Sequence, residues 1–167
     1  MSIIINYFLK MLIPVIITIP FFLLIRVILY IIKKEKKLDI KREILILIFL
    51  LYTASLLSLV LKKGSSGGIN LIPFKVFFET YTEVFINNNL SYFLINFLGN
   101  IIMFIPIGIL ISLLWKMNNK KIILIGLIFF SLIEIIQLFL NRGTDIDDIL
   151  LNVLGIYLGY IFFKKRK

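Results

Sequence analysis

The chain has no cysteine and no histidine, and among its 167 residues only nine are acidic, four are proline and one is tryptophan. Without cysteine there can be neither disulfide nor thiol nucleophile, and without cysteine and histidine a zinc site of the usual N/S kind is excluded. What remains is strongly apolar: 60% of the residues are hydrophobic and the mean hydropathy is +1.05. A soluble domain averages about 45–50% apolar residues, and a short chain cannot hide such an excess in one globular core. Lipid is the solvent that makes this composition sensible. The net charge of +10 does not point to nucleic acid. The basic residues sit in short clusters between apolar runs, which is the pattern of membrane topology rather than of a binding face.

Apolar runs near the spanning length of about 20 residues fall at Met11–Ile32, Ile44–Leu61, Leu90–Trp115, Ile122–Leu140 and Ile146–Phe163. The first is long and lacks a small-residue cleavage site before its basic flank, so it reads as a span rather than a signal peptide. The expected fold is an all-α integral membrane protein of five spans. An N-terminal two-helix hairpin over residues 1–63 precedes a region over 64–167 that carries the polar motifs. Lys33, Lys34, Lys36, Lys37, Lys41 and Arg42 follow the first span, Lys116, Lys120 and Lys121 the third, and Lys164–Lys167 the last. The other side carries Lys10, Lys62, Lys63, Lys75 and Arg142. The positive-inside rule then sets the N-terminus outside and the C-terminus in the cytoplasm.

The long outer loop begins with a flexible stretch, KKGSSGG, followed by NLIPFKVFFETYTEVF. Phe74, Phe77, Phe78, Tyr81 and Phe85 recur at helical spacing, with Lys75, Glu79 and Glu83 opposite and Pro73 suited to the first turn. An amphipathic helix at the outer interface and an aromatic plug on the bundle both fit. Asp147 reads as solvated or as a helix cap, and Arg26 as a residue that snorkels from the first span.

Polar residues recur at one depth. Asp145, Asp148, Asn152, Gly155 and Gly159 form one helical stripe, and the G-x-x-x-G pair within it admits a close neighbour. Glu134 and Gln137 share a face of the fourth span. Glu134 lies roughly 10 Å below the outer end, and Asn152 is about as deep in the fifth span, by the 1.5 Å rise per residue. Asn96 and Asn100 reach a similar level in the third span, as ligand contacts or as interhelical glue. A carboxylate as deep as Glu134 must be protonated, paired or metal-bound, and Arg142 is its nearest candidate partner in sequence. The expectation is an outward-facing polar pocket lined from Asn70, Lys75, Asn96, Asn100, Glu134, Gln137, Arg142, Asp145, Asp148 and Asn152.

Four elements occur in order: NLIPF at Asn70–Phe74, N-x-x-x-F-x-P-x-G at Asn100–Gly108, E-x-x-Q at Glu134–Gln137, and R-x-x-D-I-D-D-x-x-x-N-x-x-G at Arg142–Gly155. Together they resemble the VanZ-like membrane protein family, over the chain from about Asn70 onward; the first two spans carry none of these motifs. The resemblance implies a bacterial plasma-membrane protein. The family is named for a member associated with low-level resistance to teicoplanin, a lipoglycopeptide acting on cell-wall precursors at the outer membrane face. No biochemical activity comes with the family.

Two functions compete. In one, the pocket binds a cell-envelope ligand, such as a lipid-linked wall precursor or a lipoglycopeptide, and lowers susceptibility to such antibiotics. In the other, Glu134, Asp145 and Asp148 hold a hard divalent cation such as Mg²⁺ or Ca²⁺ and hydrolyse or transfer a phosphate-bearing lipid headgroup, with Arg142 and Lys75 on the phosphate. Five spans without detectable repeats make a transporter the weakest reading.

Overall fold

A computed structural model describes residues 2–33, 39–64 and 67–164. Lys34, Lys36 and Lys37, the C-terminal Lys165, Arg166 and Lys167, and Ser65 and Ser66 lie outside the described residues. Among the described residues there are six helices. They are α1 (Ser2–Lys33), α2 (Ile40–Val60), α3 (Lys75–Phe85), α4 (Leu90–Leu114), α5 (Asn119–Phe139) and α6 (Ile146–Phe163). All but α3 are long and apolar enough to cross a membrane. Large apolar side chains are exposed along them, Phe139 and Phe162 among the most exposed. Such surface is stable only against lipid or a partner.

The chain divides into two compact units, Met1–Val60 and Leu61–Lys167. In the first, α1 and α2 pair. Asp39 begins α2, its side chain accepting from the Arg42 N–H at 3.3 Å. Arg26, expected to snorkel without a role, instead forms an ion pair with Glu43. A charge inside an apolar helix costs least when a partner helix supplies the opposite one.

In the second unit, α4 and α6 run parallel and nearly touch. Added Cβ atoms on Gly155 and Gly159 would collide with the carbonyls of Ile101 and Ile105, and one on Gly108 with the Ile156 carbonyl. Glycine at these positions lets the two backbones meet, the small-residue mode of helix packing in lipid. The α5 helix closes over them: Val153 fills the space at Gly126, and Phe104 meets Phe130 edge to face, ring centroids 4.7 Å apart. At the far end the Tyr160 hydroxyl donates to the Met117 carbonyl and accepts from its N–H, which satisfies a loop that caps α4.

Two features were not anticipated. Phe93–Leu98 is π-helical within α4, with i→i+5 in place of i→i+4 hydrogen bonds. A two-residue parallel bridge also joins Ile69 to Thr144 and Asn70 to Asp145. It draws the loop before α3 onto the turn before α6. That turn end is where the polar residues gather.

Candidate functional site

Asp145 precedes α6 in an extended conformation, and its side chain accepts from the Asp147 N–H at 2.9 Å as an N-cap. The same carboxylate receives the Asn70 amide on both oxygens, each at 3.0 Å. Its own N–H donates to Glu134 Oε2 at 3.0 Å, and the Thr144 hydroxyl donates to the Glu134 carbonyl at 3.2 Å. Glu134 and Gln137 are buried on α5, and the Gln137 carbonyl accepts from the N–H groups of Leu140 and Arg142. On α4, Asn100 donates to Asp148 Oδ1 at 2.6 Å. Asn70, Asn100, Glu134, Asp145 and Asp148 are therefore brought together by contacts. Gln137 supports them through its backbone.

Asp147 corrects the sequence reading. Neither solvated nor the cap, it is 3% exposed and accepts the Phe74 N–H at 2.6 Å and the Val76 N–H at 2.8 Å. These are orphan donors at the start of α3, which a carboxylate satisfies well. Phe74 has φ 65°, a left-handed conformation costing a bulky residue about 1–3 kcal/mol. The bond to Asp147 helps hold it there. Pro73 accordingly lies before the helix rather than in its first turn. In the sequence, the signal for this contact was the presence of two motif elements, Asn70–Phe74 and Arg142–Gly155, at one end of the spans.

Other expected members lie elsewhere. Asn96 is exposed and its amide donates to Tyr92 O in its own helix, while the Asn100 amide donates to the Asn96 carbonyl at 3.2 Å. Lys75 pairs with Glu79 at 3.4 Å on the exposed side of α3. Asn152 is 5% exposed, and its Oδ1 has no hydrogen-bond partner. Among the described residues, no group of three acidic side chains is gathered closely enough to hold a metal ion. Glu134 Oε2, both Asp145 oxygens and Asp148 Oδ1 each accept from a protein N–H donor, which ties α5, the loop before α3 and α4 to the start of α6.

The aromatic face of α3 is not a plug. Phe74, Phe77, Phe78, Tyr81 and Phe85 are all exposed, whereas Val76 is buried with Ile101 and Leu151. The polar face turns toward α4: Glu79 accepts from the Tyr92 hydroxyl at 2.6 Å, and Glu83 from Asn87 and Asn89. Beside Val76 lies an apolar groove of about 540 Å³, walled by Phe74, Phe77, Phe78 and Phe97 on one side and Leu150, Leu151 and Leu154 on the other. A second depression, of about 510 Å³, is lined by Lys62, Lys63, Gly64 and Arg142. The two lysines were not among the expected site residues.

The VanZ/LLP1 family model matches residues 43–166. The chain belongs to the VanZ/LLP1 family. The match reaches back through α2, beyond the Asn70 boundary that the motifs alone suggested, and includes the Glu43 that pairs with Arg26. No curated protein and no solved structure matches the chain. Within the matched range, Asn70, Glu134 and Asp145 are partners of one another, as are Asn100 and Asp148.

Proposed function

We propose that this VanZ/LLP1 protein is a non-enzymatic component of the bacterial plasma membrane, with its N-terminus outside and its C-terminus in the cytoplasm. It binds an amphiphilic cell-envelope ligand, such as a lipid-linked wall precursor or a lipoglycopeptide, at the outer face and lowers susceptibility to teicoplanin-type antibiotics. The observation carrying this reading is the division of labour around α3. The carboxylates are engaged by internal N–H donors, while the accessible concave surface beside them is an apolar groove of about 540 Å³ under exposed aromatic rings. Such a groove suits the hydrocarbon part of an amphiphile, since binding sites are mostly apolar with few polar groups. The three basic clusters support the orientation through the positive-inside rule.

The test is teicoplanin susceptibility of a host expressing the chain, its Leu154→Trp variant or an empty vector. Leu154 is partly exposed in the groove wall, so the larger ring fills the groove without entering the core. Expression of the chain should lower susceptibility, and Leu154→Trp at equal membrane abundance should restore it. Identical susceptibility with chain and empty vector would overturn the reading.

A further inference from the structure

We propose that Lys62, Lys63 and Arg142 form a receptor for a phosphate-type anion, which gives the outer-face ligand its headgroup; this rests on the envelope-binding reading above. Three cations line one depression of about 510 Å³. Arg142 offers a planar fork and the lysines mobile point charges, a combination suited to phosphate oxygens.

Their convergence is built into the backbone. The Gly64 N–H donates to the Leu140 carbonyl at 3.0 Å, and the Thr144 N–H to the Gly68 carbonyl at 3.0 Å. A Cβ on Gly64 would strike the Asn141 carbonyl, and one on Gly67 the Arg142 carbonyl. The glycines thus let the lysine-bearing strap lie directly on the Arg142 turn. The expected flexible linker is, at its described residues, a docked segment. Asn141 turns the chain with φ 53°, and the Arg142 N–H is fixed to the Gln137 carbonyl at 3.1 Å.

Charge distribution adds an independent argument. These three residues lie on the side that the positive-inside rule keeps poor in Lys and Arg. Basic residues that serve only topology would lie on the opposite side, and nothing in that role requires them to share a depression. Anion binding accounts for both their side and their convergence.

The experiment uses the full chain in detergent at fixed ionic strength, with thermal unfolding as readout. The probes are pyrophosphate, glycerol 3-phosphate, and dihexanoyl phosphatidylglycerol against dihexanoyl phosphatidylcholine. Near saturation at least one anionic probe should raise the midpoint by about 5 °C. The exposed pair Lys62→Gln/Lys63→Gln should lose most of that shift while keeping the unliganded midpoint. Lys120→Gln/Lys121→Gln, with the same loss of charge, should retain it. Arg142→Lys should lose an intermediate share. A response to phosphatidylglycerol but not to glycerol 3-phosphate identifies a lipid source, and a response to pyrophosphate alone identifies a soluble anion. Equal shifts in both double variants, or no shift with any anionic probe, would overturn the proposal. An anion response without altered teicoplanin susceptibility would retain this site and remove the antibiotic reading.

Discussion

The two ends of α6 are held by opposite chemistry. At its start Asp145, Asp147 and Asp148 bind N–H donors from the first turn of α6 itself, from the start of α3 and from α4. Toward its other end Gly155 and Gly159 carry no side chain at all and admit the backbone of α4. Apolar side chains gain little by leaving lipid for one another, so helices there associate through close packing and hydrogen bonds. The acidic end uses directional bonds to fix connecting segments, and the glycine end uses contact area to fix helices. The comparison teaches that in this chain polarity at the start of α6 is mainly a fastening for loops, and smallness further along it a fastening for spans.

That contrast can be broken from either end. Gly159→Leu should have the largest effect, destabilising by about 3 kcal/mol or more because backbone rather than a movable side chain blocks the new group; unfolding in mixed micelles measures it. Asp147→Ala should cost about 1–3 kcal/mol by leaving the buried Val76 N–H and the part-buried Phe74 N–H without their acceptor. Hydrogen exchange should quicken at the Phe74 and Val76 amides while the α4–α6 contact stays protected. If both regions loosened together, the separation of roles would fail.

Smaller changes sharpen the acidic end. A double-mutant cycle on Asn100→Ala and Asp148→Ala should return a coupling of about 1 kcal/mol, typical of hydrogen bonds between membrane helices. Asn152→Leu should leave stability unchanged or raise it by up to about 1 kcal/mol, since the buried Oδ1 has no partner to lose. A loss of stability would instead show that Asn152 belongs to the network. Lys75→Ala should change stability by less than about 0.5 kcal/mol, because an exposed i,i+4 pair is well screened.

Much of this was legible in the sequence. The five spanning segments follow from apolar length, and the structure moves their limits by only a few residues. The stripe through Asp145, Asp148 and Gly155 follows from helical period, and the G-x-x-x-G pair announced its close neighbour. The depth of Asn96 was legible but its exposure was not, because which face of a span meets a neighbour is decided by the packing of the other helices. Lys62 and Lys63 looked like linker residues, because glycine and serine beside them signal flexibility unless a partner backbone is present to dock on.

The sequence by itself determined that this chain belongs in a membrane, which segments cross it and which family motifs it bears. Those properties depend on composition and local period, and each can be counted along the chain. Only the tertiary structure decided what the motif residues do. Asp147 meets the Phe74 and Val76 N–H groups, and Arg142 joins Lys62 and Lys63, across large separations in sequence. A backbone donor looks alike at every position until the fold gives it an acceptor, so no local pattern could have revealed those pairings.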